Sequence, residues 1–273
     1  MKNANSLPKS KLVICLFFLA KNISFLVIIL WATMISQTAF GQVAGKDDMN
    51  SSSHVTSGFE SDLASRYIWR GLAFSSGAVT QNSIRFTKWG LTCSMWSSYD
   101  FGSKAVNPRL NEFDLGLLYE SSFHNFDIQG SMQSYFYPNQ PEAPSTGEFS
   151  LNLSYCFPLL QPFTTQTFDV KAYRGAYFGE LGLQASHHFV ERLSADLTVE
   201  MGWGSAKFNH AYIGEVGSAL DLASCQANLT WSIFKSLYLR PHFCVTTLIN
   251  QDIRARVDKA TLYQFGAAFG GEF

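Results

Sequence analysis

Charge is scarce in this chain. Asp, Glu, Lys and Arg make up 15% of its 273 residues, against roughly 25% in a soluble domain. Hydrophobic residues still reach 47%, which excludes a disordered chain. No basic excess exists to hold nucleic acid. Cysteine is sparse as well. Cys93, Cys156, Cys225 and Cys244 are widely spaced and form no CxxC pair, so no metal centre is expected. They read as small apolar fillers, with a disulfide as the alternative. Helical periodicity is missing after residue 53. Gly175, Gly179 and Gly182 are followed by strand-like sequence, so they make no phosphate-binding loop. Residues 42–53 are too few for a plug domain, which argues against an energised receptor. No cofactor is expected.

Aromatics, by contrast, are abundant: 15% of residues, with 24 Phe and 11 Tyr. The final segment shows how they are used. Tyr263, Phe265, Ala267, Phe269, Gly271 and Phe273 fall on one face of an extended strand. Gln264, Gly266, Ala268, Gly270 and Glu272 fall on the other. One apolar and one small or polar face, ending in an aromatic, suits the closing strand of an all-β transmembrane antiparallel barrel. Lipid would touch the first face and the lumen the second.

The start of the chain reads as an export signal. Residues 1–41 hold four Lys and no acid. An apolar run, Ile23–Ile35, follows an earlier one, Leu12–Ala20, and Ala39-Phe40-Gly41 offers small residues for cleavage after Gly41. A retained anchor across 12–35 is the alternative. Cys15 lacks the small residues that precede a lipoprotein cysteine. The expected domains are therefore a signal peptide (1–41), a flexible mature N-terminus (42–53) and a barrel (54–273). Residues 42–273 carry 16 basic and 21 acidic groups, a net of −5.

Twelve alternating segments are expected, near 54–71, 78–88, 90–101, 111–121, 125–137, 147–157, 163–173, 176–189, 193–205, 218–232, 236–249 and 261–273. Most are long enough for a tilted bilayer span. Connections alternate between long and short, and Arg174–Gly175 is the one short member of the long set. Outer-membrane barrels show this asymmetry, with long loops outside the cell and short turns in the periplasm. Both termini would then be periplasmic, in the outer membrane of a Gram-negative bacterium.

Ser65-Arg66-Tyr67-Ile68-Trp69-Arg70-Gly71, followed by a Ser-rich loop, resembles the first strand of the TorF-like porin family. Asn111–Gly116 and Tyr177–Ser186 match further. The resemblance covers most of 55–273 and implies an outer-membrane porin without an assigned substrate. The chain departs from the family at Lys171-Ala172-Tyr173-Arg174-Gly175, where an acidic loop residue is expected before the Tyr.

By parity, the expected pore-lining residues are Glu60, Asp62, Arg66, Arg70, Arg85, Glu112, Asp114 and Arg240. Glu120, Asp127, Lys171, Glu180, Asp196, Glu200 and His242 join that face, while Phe59, Leu63, Tyr67 and Trp69 point to lipid. Arg66 and Arg70 lie four residues apart on the first strand, a basic stripe that Glu112 and Asp114 are placed to oppose. A water-filled path with a transverse field is one reading, and a lumen closed by paired side chains is the other. The function expected is passive passage of small solutes or ions. A lipid-modifying or proteolytic barrel enzyme, or a closed structural barrel, is the alternative. Such enzymes need a nucleophile–base pair at the outer rim; Ser186-His187-His188 and His210 with Glu215 are the loose candidates. Expected partners are outer-membrane lipid and the barrel-assembly machinery, which Phe273 would engage through the C-terminal strand.

Overall fold

The computed structural model describes residues 54–75, 77–102 and 109–273. The expected signal peptide and flexible N-terminus lie outside them. Along the chain, β1 (Thr56–Ala64) is followed by a small hairpin, β2 (Ile68–Trp69) and β3 (Leu72–Ala73). Then come β4 (Val79–Lys88), β5 (Leu91–Asp100), β6 (Arg109–Phe123), β7 (Phe126–Phe136), β8 (Thr146–Tyr155) and β9 (Gln161–Asp169). The last five strands are β10 (Tyr177–Val190), β11 (Leu193–Gly204), β12 (Ala219–Ser232), β13 (Leu237–Leu248) and β14 (Thr261–Glu272). All except β2 and β3 form one closed antiparallel barrel of 12 strands, with β1 sealed against β14.

The two-residue side-chain period decides the faces. Leu197, Val199 and Met201 of β11 are exposed beside Leu181 and Leu183 of β10, and Leu115, Leu117, Leu151, Leu153, Phe243 and Phe265 continue the band around the wall. A soluble protein would not leave so large an apolar surface uncovered. On the opposite face, Asp114, Glu148, Thr167 and Asp169 are buried.

Every described connection at one end of the barrel is longer than every connection at the other. The short end uses tight turns. At Trp89 and Gly90 both φ angles are positive, 52° and 75°, which matches the right-handed strand twist of a two-residue hairpin. The long end carries two short helices, α1 (Ala206–Tyr212) and α2 (Gln251–Arg254). Ser205 caps the first, its hydroxyl accepting from the Phe208 amide at 3.2 Å, and Asn250 caps the second.

Two expected strand ends are corrected. The first strand stops at Ala64, not at 71, and the chain turns into the lumen. Tyr67 and Trp69, expected to face lipid, are inside. Tyr67 packs on Trp96 with ring centroids 5.5 Å apart, and Trp69 packs on Tyr212 at 4.9 Å. The strand expected to reach 173 stops at Asp169. Its carboxylate accepts from the amides of Lys171 (2.8 Å) and Tyr173 (2.9 Å) and turns the chain there. The connection 170–176 thus becomes a long one, and the exception to the asymmetry disappears.

Small residues in β14 allow the seam to be tied across three strands. Tyr238, Arg240 and His242 of β13 stand opposite Gly270, Ala268 and Gly266, which stand opposite Glu60, Asp62 and Ala64 of β1. The side chains of β13 lie over this shallow strip. Tyr238 donates to Glu60 at 2.5 Å, Arg240 pairs with the same carboxylate, and His242 Nε2 sits 2.9 Å from Asp62 Oδ1. A methyl group at Gly266 would strike the His242 ring, and one at Gly270 the Tyr238 ring.

Candidate functional site

The β2–β3 hairpin crosses the bore. Its turn is Arg70-Gly71, with φ angles of 47° and 81°. A long side chain in that left-handed region is strained, and such strain persists only where the surroundings impose it. Here they do so from both sides. Gly71 lies against Leu222 of β12 and Leu248 of β13. Across the lumen, Arg70 makes a two-pronged ion pair with Glu148 of β8, Nη1 to Oε1 at 2.7 Å and Nη2 to Oε2 at 2.9 Å. Tyr135 of β7 donates to the same carboxylate at 2.8 Å. The guanidinium also lies 4.3 Å from the Trp69 ring and 4.8 Å from that of Phe178. Both partners are nearly covered, with side chains 10% and 4% exposed.

The lumen differs from flank to flank. On the side of β10 to β13, Phe178, Leu222 and Leu248 pack with Phe208 of α1 and Ile253 of α2 into an apolar cluster. On the side of β6 to β9 the wall is polar. A cavity of about 430 Å³ opens there against the hairpin. Ser131, Ser150, Asn152, Thr165 and Thr167 line it, together with Glu148 and Glu180. Some of these groups bond one another: Ser150 with Thr167 at 2.9 Å, and Asn152 to Thr165 at 2.8 Å. The connections beside it carry two phenols. Burial, and then Glu112, pushes the Tyr137 hydroxyl well above its ordinary titration range. Burial, and then Glu148, does the same for Tyr212. Both therefore stay neutral.

The residues expected to line the lumen take distinct positions. Glu60, Asp62 and Arg240 belong to the seam. Arg85 pairs with Glu272 near the short end. Arg66 follows β1, and its carbonyl accepts from Gln264 at 2.9 Å while its Nε is buried without a partner. Arg70 is a hairpin residue, so the expected stripe along the first strand does not exist. Its partner is Glu148, not Glu112 or Asp114. Glu112 accepts the Tyr67 hydroxyl. Asp114 accepts from Gln133 at 2.9 Å, and its second oxygen is buried without a partner. Glu148 was absent from the expected set, although its parity with Ser150 and Asn152 carried the signal.

Among the candidate nucleophile–base groups, Ser186 stands opposite Asp196 and His188 opposite Ser194 in the register of β10 and β11. The Ser186 hydroxyl donates to Asp196 at 2.6 Å, and His187 packs on Phe189 at 4.8 Å. His210 sits in the last turn of α1. No disulfide joins the four described cysteines, and Cys156 donates to Asp127.

No family model and no curated protein matches this sequence. Solved structures do match. The NanC porin is 12% identical with a TM-score of 0.53, the alignment covering 79% of this chain and 98% of that one. The fold is the bacterial outer-membrane barrel. An outer-membrane channel from Pseudomonas putida F1 is 10% identical at a TM-score of 0.50, covering 83% and 98%. LpxR from Salmonella typhimurium is 8% identical at 0.50, covering 78% and 99%. LpxR is an enzyme, so this shared architecture alone does not choose between channel and catalyst.

Proposed function

We propose that the protein is a channel of the bacterial outer membrane that passes small polar solutes or ions through a bore narrowed by the β2–β3 hairpin. The observation that carries this is the polar cavity of about 430 Å³ inside a wall whose outside is apolar. A closed barrel needs no such cavity. In this reading the long connections face outward, both chain ends face the periplasm, and residues 1–41 are an export signal. Phe273 then serves the assembly machinery. The Ser65–Gly71 motif supports membership of the TorF-like family, and here it gains a physical meaning because it encodes the inward hairpin.

Recordings from the refolded protein in a planar bilayer test the proposal. Discrete conductance steps are expected. A silent bilayer with correctly folded protein would leave a closed barrel, a reading that the apolar cluster beside the hairpin also favours.

A further inference from the structure

The cavity beside the hairpin has an uneven charge balance. Among the described residues Arg70 is its only lining cation, and both terminal nitrogens of that guanidinium are held by Glu148. Glu180 lines the same cavity and forms no ion pair among the described residues. Glu200 reinforces it from the neighbouring strand. It stands opposite Gly182, two residues along from Glu180, and accepts from Ser224. The one lining cation that acts on Glu180, Arg70, is already held by Glu148. A carboxylate drawn partly out of water with no contact partner of its own is costly, and a cation entering the cavity relieves that cost. An anion meets two acids there, and reaches Arg70 only by displacing Glu148.

The remaining lining narrows the class of cation. A hard divalent ion needs six or more oxygen ligands and several charges, and no cluster of three or more His, Cys, Asp or Glu that could hold a metal exists among the described residues. Hydroxyl and amide groups instead form a wall suited to a hydroxylated body. The volume also lies within the range of small-molecule sites.

Building on the channel reading, we infer that this cavity is a subsite for small hydroxylated organic cations, with an ammonium group on Glu180 and the body along Ser150, Asn152 and Thr165. Selection is by charge at a half-buried carboxylate.

Three solutes with similar six-carbon polyol bodies test this: N-methylglucamine (cation), sorbitol (neutral) and gluconate (anion). Tracer uptake into proteoliposomes at zero membrane potential gives the transport order. Tryptophan fluorescence gives equilibrium binding, since Trp69 lines the cavity. N-methylglucamine should lead sorbitol by about fivefold, the scale of one partly screened ion pair, and gluconate should come last. Glu180→Gln should remove the lead and Glu180→Asp should keep it. Uptake of all three at equal rates, or a lead that survives Glu180→Gln, overturns the subsite and leaves the channel standing. Cation binding that Glu180→Gln abolishes, with no uptake of any solute, overturns the channel and leaves the subsite standing.

Discussion

Arg70 and Arg85 each hold a glutamate, and the two pairs have little else in common. Arg70 and Glu148 meet inside the bore with side chains 10% and 4% exposed. Arg85 and Glu272 meet near the short-turn end with side chains 32% and 60% exposed. Water screens the second pair, and such pairs contribute about 0–1 kcal/mol. The first pair has left water, so each charge depends on the other, and removal of either strands a buried ion. The same two residue types therefore make a structural crossbar at one level and a surface contact at the other. Burial, not identity, separates them.

The largest expected effect is at the crossbar. Arg70→Ala should lower unfolding stability in detergent by about 3–5 kcal/mol, because Glu148 is left buried and alone. A shift below about 1 kcal/mol would mean that water already reaches this carboxylate. Next in size is the apolar cluster that backs the hairpin. Phe208→Ala should cost about 3 kcal/mol through the cavity that it leaves, and loss of that support should raise conductance. Unchanged stability and conductance would mean that α1 is no support.

A double replacement sharpens the comparison. Arg70→Met with Glu148→Leu should recover most of the stability lost by Arg70→Ala, since an apolar pair of similar size often matches a buried ion pair. Recovery of stability with altered ion selectivity would assign the charges to conduction. No recovery would assign them to holding the hairpin. The smallest effect belongs to Arg85→Ala, expected within about 1 kcal/mol and diminished further by salt. A salt-insensitive loss well above that would show that the short end of the lumen is far drier than its exposure implies.

The wall of the barrel was legible in the sequence because a period of two is a local signal. Leu197, Val199 and Met201 declare their face without reference to any other strand. The site was less legible for two reasons. Ser65 to Trp69 keeps the alternation of β1, so the inward bend has no periodic signature. Arg70-Gly71 is also not one of the common hairpin-turn pairs, and Arg70 takes its positive φ only because the pair with Glu148 and the packing of Gly71 hold it there. The second reason is distance along the chain. Glu148 lies 78 residues from Arg70, and parity tells which face a residue occupies but not which residue it meets. Asp169 shows the same limit. Its turn-forming role was hidden because the residues after it continue to look strand-like.

The shallow strip on β14 has a consequence for how the molecule is made. Glu60 and its partners Tyr238 and Arg240 are separated by 178 and 180 residues, almost the whole length of the barrel. Until the last strand is in place, the first has no neighbour on that side, and Glu60 and Asp62 lack the Tyr238, Arg240 and His242 side chains that later cover them. Closure therefore joins the two ends of the described chain and supplies the first strand with its second neighbour. A chain cut short before Gly266 should not give a weaker barrel. It should give an open sheet with two bare edges and unpaired acids, a substrate for periplasmic proteases.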